Sequence, residues 1–229
     1  MGGCSSGSCG SGCHPKIVCP CPEAGNPEID SLEKVVNCYW QNHQSLAAEA
    51  DYYESLEDLQ TAIAEAADAL DDENLGYDTP DAIPATSLTA ARQALAAAES
   101  QLAACADFDA LYQAIDSKLG QLSGLTPALV YLTAWRIGLQ AGFAPTVIYL
   151  DAGAREGAAA LVELEGDESR VDRDRLPPIL RHPDLPVEDV QLCLAICKRQ
   201  LQWLGSKSYE ASSLDSPGMP GRTGGSGNA

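Results

Sequence analysis

The residues most able to do chemistry are cysteines near the N-terminus and the histidine beside them. This group consists of Cys4, Cys9, Cys13, His14, Cys19 and Cys21. Thiolates and imidazole hold Zn²⁺ or iron–sulfur clusters in many proteins. The number of these candidate ligands favours a metal site, but their spacing does not, because the segment has no C-x-x-C pair. We therefore expect no cofactor, with disulfides as one alternative. The other alternative is a Zn or Fe–S module formed by Cys9, Cys13, His14, Cys19 and Cys21.

The first six residues also fit a lipid-attachment pattern. Gly2 and Ser6 match the myristoylation motif M-G-x-x-x-[ST], and Cys4 could accept a palmitoyl group. Two acyl chains would anchor the chain to a membrane, which makes an acylated, membrane-anchored adaptor a further alternative. No polybasic segment follows, and an anionic leaflet would repel the acidic stretch after residue 30. No apolar run is long enough to predict a membrane span, and the start lacks the apolar region of a signal peptide.

Motifs typical of common enzyme classes are missing from the sequence. There is no H-E-x-x-H, no phosphate-binding G-x-x-x-x-G-K-[ST] and no G-x-G-x-x-G. Cys193 and Cys197 lie four residues apart and could reach one ion, but leucines and an isoleucine surround them, which favours packing in a core. The sequence therefore predicts a protein that is not an enzyme.

Charge is unevenly distributed along the chain. Lys and Arg number 14 against 33 Asp and Glu, for a net charge of −19, which argues against nucleic acid as the main partner. Residues 30–81 contain fourteen acidic residues and one basic residue, whereas residues 170–207 contain seven basic and five acidic residues. A solvated acidic face explains this distribution. Alternatively, a subunit with an acidic end and a basic end would suit head-to-tail contacts between copies in a ring or stack.

Hydrophobic spacing predicts an all-α fold built on a long antiparallel hairpin. Asp30 and Glu33 form a capping box before a helix over 30–70, whose apolar residues recur at three, four or seven positions. After Tyr53 the seven-residue spacing shifts by three, which we interpret as a coiled-coil discontinuity. A second helix over 87–125 would return along the first, and the ADFD sequence around Asp107 could divide it by capping a fresh helix. The hairpin thus occupies 29–125, with its tip loop at 71–86.

The remaining chain is predicted to form a smaller helical base and two extended ends. Thr126 and Pro127 begin a helix over 127–142 that is apolar nearly all round, and Pro186 begins a last helix that ends at Gly205. Together these give a helical base over 126–205. Residues 1–28 read as an extended Cys/Gly/Ser-rich arm, and residues 206–229 as a flexible Gly/Ser tail.

These apolar stripes are more extensive than the predicted hairpin can cover alone, which predicts contacts between copies. We therefore expect a non-enzymatic structural subunit of a symmetric multi-copy assembly, with copies of itself and other structural subunits as partners. Its most concrete form is a virus or phage particle component, such as a neck, connector or tail protein, found in the virion or in the cytoplasm before assembly. The predicted interface residues are Tyr39, Trp40, Leu46, Tyr53, Leu56, Ile63, Trp135, Arg170, Arg173, Arg175 and Trp203.

Overall fold

The computed structural model describes residues 21–42, 45–71 and 83–214, and these are mostly helical. The predicted all-α class is therefore confirmed. The helices are α1 Leu32–Asn42, α2 Ser45–Glu54, α3 Leu59–Asp68, α4 Ala85–Ala97, α5 Glu99–Ala103, α6 Phe108–Leu119, α7 Pro127–Ala141, α8 Ala152–Ala159, α9 Val187–Ile196 and α10 Lys198–Leu214. Short 3-10 turns cover Ala69–Asp71, Arg173–Arg175 and Pro178–Arg181. The strands β1 Ile148–Tyr149 and β2 Arg170–Val171 pair antiparallel, with Ile148 opposite Val171.

The stretch predicted as one helix over 30–70 is interrupted at residues 55–58, between α2 and α3, while residues 43–44, between α1 and α2, lie outside the described residues. The Ser55 hydroxyl donates to the Tyr52 carbonyl at 2.7 Å, which gives the end of α2 a local alternative to the helical ladder. The Asp58 carboxylate then accepts from the Thr61 amide at 2.7 Å and starts α3. The shift in the seven-residue spacing after Tyr53 therefore marks the end of a helix. It is not a discontinuity within one coiled coil.

The second predicted helix, over 87–125, is also divided, into α4, α5 and α6. Asp107 caps α6 by accepting from the Ala110 amide at 2.8 Å, and the chain turns between α5 and α6. Helix α3 packs against α4, so the two predicted helical stretches do meet, over about three turns of helix. Of the predicted tip loop 71–86, residues 72–82 lie outside the described residues.

Helix α7 is the centre of the fold. The Thr126 hydroxyl caps it by accepting from the Leu129 amide, and Gly142 ends it in a left-handed conformation with φ of 73°. Every residue from Ala128 to Gly138 is buried, because α2, α3 and α6 all pack around this helix. The predicted hairpin and the predicted base therefore share one hydrophobic core, which extends from Cys21 to Leu201.

The two ends of the body differ from the prediction. Cys21, placed in the extended arm, is buried against the helical body. Helix α10 continues to Leu214, nine residues past the predicted end at Gly205. A Cβ at Gly205 would lie 2.8 Å from the Ala160 carbonyl oxygen, so this glycine permits close packing of α10 on the end of α8 and does not end the helix. Within the ranges described, no helix is both long and apolar enough to cross a membrane.

Candidate binding surface

Trp40 is the most distinctive exposed side chain. Among the residues whose side chains are described, only Trp40 and Tyr52 are large hydrophobics with substantial exposure, at 46% and 47%. On α1, Val36 and Tyr39 face the core, which leaves Trp40 on the outer side of the helix. An aromatic ring in this position carries a large apolar area that a partner could cover.

A groove lies beside Trp40. Its cavity volume is about 300 Å³, at the lower end of the range for ligand pockets. One wall belongs to α1 and the other to the segment that leads into α9. We call this the Trp40 groove, and its lining residues are Val36, Asn37, Trp40, Ile179, His182, Asp184 and Leu185.

One arginine holds the second wall of the Trp40 groove in place. Arg173 donates from Nε to the Leu180 carbonyl at 3.0 Å, and from Nη2 to the carbonyls of Leu185 at 2.5 Å and His182. A planar guanidinium that binds three backbone carbonyls fixes the path of the segment between them. The groove is therefore a preformed feature of the surface, although its second wall has no regular secondary structure after Arg181.

Exposed charged residues of both signs lie in the segment that forms the second wall of the Trp40 groove. The Asp184 side chain is 84% exposed, and its carboxylate lies 3.7 Å from His182 Nδ1. The Asp184 amide donates to the same nitrogen at 3.4 Å. Arg181 is exposed next to His182 in the chain and makes one long hydrogen bond, at 3.5 Å, to the Asp174 carbonyl. Apolar walls with a mixed-charge rim are typical of protein interfaces.

Helix α1 is joined to α9 behind the groove by a buried hydrogen bond. The Tyr39 hydroxyl donates to Asp189 Oδ1 at 2.6 Å. Burial raises the pKa of Tyr39 well above its usual value, and the nearby Asp189 carboxylate raises it further. Burial also raises the pKa of Asp189, partly offset by the tyrosine hydrogen bond. This contact fixes the rotation of α1 and hence the direction in which Trp40 points.

Most of the predicted apolar interface residues are core residues. Tyr39, Leu46, Tyr53, Ile63 and Trp135 are each at most 5% exposed inside the chain's own core. Leu56 and Trp203 are partly buried. The prediction is corrected here because the short helices wrap around α7 and cover one another's apolar faces, which two long helices could not do. Of the predicted apolar set, only Trp40 is exposed.

The predicted basic interface residues are engaged within the chain. Arg170 pairs with Asp109 and lies 5.4 Å from the centre of the Tyr149 ring. Arg175 pairs with Glu168 and donates to a backbone carbonyl at 2.8 Å, while Arg173 fixes the groove wall. The Tyr149 hydroxyl and then Arg170 hold the pKa of Asp109 below its usual value. The arginine-rich segment therefore stabilises the chain's own loops.

The predicted metal ligands are only partly within the described residues. Cys9, Cys13, His14 and Cys19 lie outside them, as do the acylation candidates Gly2 and Cys4. Cys21 is described, and its Sγ lies 3.6 Å from the Val35 carbonyl and 3.9 Å from Cys197 Sγ. In the part of the chain that the structure covers, no group of three His, Cys, Asp or Glu residues could hold a metal ion.

A second, much smaller cavity lies between α7 and α9. Its volume is about 10 Å³, enough for about one water molecule, and Trp135, Glu188 and Gln191 contribute its polar groups. Gln191 accepts from the Tyr149 amide at 3.1 Å, while its Nε2 has no acceptor among the described residues. Burial raises the pKa of Glu188, and the Trp135 side chain and Arg173 partly offset this. No motif in the sequence indicated this pocket.

Among the residues that the structure describes, the Trp40 groove is thus a surface feature suited to binding, while the small cavity fits a single internal water. The groove combines an aromatic wall, aliphatic side chains and charged groups on a fixed backbone. In comparisons with protein-family models, curated proteins and solved structures, nothing matches this chain.

Proposed function

We propose that this chain is a non-enzymatic structural subunit of a symmetric multi-copy assembly, whose copies meet through the Trp40 groove. The observation that supports this is the 46% exposure of Trp40 beside a preformed cavity of about 300 Å³. Tryptophan in a pocket is among the residues that contribute most to binding free energy. The interface is thereby confined to one surface and does not involve the buried seam that the sequence suggested.

The charges of the rim favour a second copy as the occupant. In a two-fold contact the same surface is used on both subunits, so each group must meet its complement on the other copy. Arg181 and Asp184 lie three residues apart in the segment that forms the second wall, both are exposed, and they carry opposite charges. A two-fold axis through the groove would place Arg181 of each subunit against Asp184 of the other, with the two Trp40 rings between them. Such pairing sets register and orientation as well as affinity.

The aromatic contribution can be tested with a matched pair of variants. Trp40→Ala removes the groove's aromatic wall, while Tyr52→Ala removes an equally exposed aromatic ring outside the groove. We expect Trp40→Ala to weaken self-association at least tenfold in sedimentation velocity, and Tyr52→Ala to leave it unchanged. Equal effects of the two variants would contradict the assignment of the groove.

The charge pairing can be tested by reversal. Asp184→Arg and Arg181→Asp, each alone, would place like charges together across the two-fold axis and weaken association. In the double variant each position carries the charge of the other. Opposite charges then meet again across the two-fold axis, and self-association should recover. If the double variant associates no better than the worse single variant, the two-fold arrangement is wrong.

A virus or phage particle component, such as a neck, connector or tail protein, remains the most concrete assembly that we propose. A particle of this kind uses many identical subunits and would need the groove contact in every copy. Detection of the chain in purified particles, in stoichiometric amounts, would test this form of the proposal separately from self-association.

A further inference from the structure

Two cysteines that lie far apart in the chain meet at the corner between α9 and α10. Cys21 and Cys197 are separated by 176 residues, yet their Sγ atoms lie 3.9 Å apart. Cys21 is 9% exposed and Cys197 is fully buried. The last cysteine of the cysteine-rich N-terminal segment is therefore in contact with one of the two cysteines in the C-terminal helices.

Independent contacts fix the position of the Cys21 segment. Gln200 Nε2 donates to the Pro22 carbonyl at 3.0 Å, which ties the residue after Cys21 to the first turn of α10. Ile29 is buried in the core and its amide closes a turn with the Asn26 carbonyl at 3.0 Å. Gly25, with φ of 94°, turns the chain beside Trp203. Because these contacts do not involve sulfur, the two thiols are brought together by the fold itself.

Cys197 stands at a break between two helices. It is the C-cap of α9, with φ of −94° and ψ of 12°, and α10 begins at the next residue. Disulfide sulfurs lie about 2 Å apart, so Cys21 and Cys197 must approach by a further 2 Å or so. The Cys21 side lies in irregular backbone, where this movement does not break a helix or strand.

We propose that Cys21 and Cys197 form a reversible disulfide, with a low-molecular-weight disulfide such as oxidised glutathione as the oxidant. The thiolate of Cys21, the more exposed of the two, attacks one sulfur of the small disulfide, whose S–S bond breaks and releases one small thiol. The Cys197 thiolate then attacks the Cys21 sulfur of this mixed disulfide. The Cys21–Cys197 bond forms, and a second small thiol leaves. Two electrons reduce the small disulfide, and the protons of the two cysteines end on the released thiols.

The disulfide would tie the cysteine-rich N-terminal segment to the C-terminal helices. Closing so long a loop restricts the unfolded chain strongly, so the oxidised protein should be more stable to heat. For a chain of this size we expect a rise in Tm of roughly 10 °C. The oxidation state of the two cysteines would then control whether the cysteine-rich N-terminal segment can separate from the C-terminal helices.

The bond can be identified in the full-length chain by peptide mapping. After treatment with oxidised glutathione and blocking of remaining thiols, tryptic digestion without reductant should join peptide 17–34 to peptide 182–198. Each peptide contains two cysteines, and the neighbours Cys19 and Cys193 provide matched controls. We expect Cys21→Ser and Cys197→Ser to abolish the joined peptide, and Cys19→Ser and Cys193→Ser to retain it.

The heat stability gives a second readout that separates a specific bond from incidental oxidation. The wild-type Tm should rise on oxidation, and the Tm of Cys21→Ser should not, with circular dichroism of the reduced variant confirming that it folds. Failure to obtain the joined peptide from the wild type, or its persistence in Cys21→Ser or Cys197→Ser, would overturn the proposal. So would an oxidised wild-type protein whose Tm equals that of the reduced protein.

Discussion

Arg136, in the middle of α7, donates from Nε to Glu49 Oε1 of α2 at 2.6 Å inside the core. The arginine side chain is 1% exposed and the glutamate side chain 11%. The guanidinium also lies 5.9 Å from the centre of the Tyr53 ring. An arginine within an otherwise apolar helix is thus accommodated by a charge from another helix. The pair fixes the register of α2 on α7.

Removing one member of this pair should be strongly destabilising. Glu49→Ala leaves the Arg136 charge buried without its carboxylate, and we expect a loss of about 3–5 kcal/mol in the free energy of unfolding. Replacing both residues, as in Glu49→Leu with Arg136→Met, should cost much less, because no uncompensated charge remains. Urea unfolding followed by circular dichroism measures both. A double variant as unstable as Glu49→Ala would show that the uncompensated charge of Arg136 does not cause the loss of stability.

The N-cap of α6 contributes to stability through one side chain. Asp107→Ala removes the acceptor for the Ala110 amide, and we expect a loss of about 1 kcal/mol in the free energy of unfolding. Asp107→Asn keeps an acceptor oxygen and should lose little. Chemical unfolding of the two variants side by side tests this, and equal losses would contradict the capping role.

Close packing of α8 on α9 depends on Gly157. A Cβ at this position would lie 2.1 Å from the Leu194 carbonyl oxygen, so Gly157→Ala must push the two helices apart. Helix propensity alone predicts that alanine stabilises the helix by about 1 kcal/mol. We expect the opposite sign, a loss of about 2 kcal/mol from overpacking. A thermal or urea midpoint that rises in Gly157→Ala would show that the helices can separate without cost.

The partly buried Glu188 predicts a specific pH dependence. Its pKa is raised by burial, so the folded protein binds this proton more tightly than the unfolded chain does. The cost of its charge is therefore present above the folded-state pKa and disappears as the pH falls towards the usual value of 4.5. Glu188→Gln should consequently be more stabilising, relative to the wild type, at pH 7 than at pH 4. Urea unfolding of both proteins at the two pH values measures this difference, and a difference independent of pH would contradict it.

Local signals in the sequence predicted individual helix ends well. Thr126 with Pro127, Asp107, and Pro186 each stand where a helix begins. Such signals depend on residues a few positions apart, which the sequence displays directly. The prediction that Gly205 ends the last helix is wrong. This glycine allows a close approach to Ala160, a contact between distant segments that the sequence does not display.

The larger errors concern how elements pair. The apolar spacing continues from α2 to α3 across the break at residues 55–58, since both helices must face the core. One long helix and a series of shorter helices therefore show the same pattern. Nor does the sequence show that Arg173 binds the carbonyls that form the groove wall, or that Cys21 meets Cys197, since these contacts arise only once the chain is folded. Of the residues that line the Trp40 groove, the sequence predicted only Trp40 as an interface residue.

The central claim, that copies associate through the Trp40 groove, is tested most directly by the mass of the protein in solution. Sedimentation equilibrium over a wide concentration range, under reducing conditions, gives the weight-average mass without assuming a shape. We predict that the wild-type mass rises with concentration above the 24.1 kDa of one chain, and that the Trp40→Ala mass stays at that value. A wild-type mass of 24.1 kDa at every concentration would contradict the account.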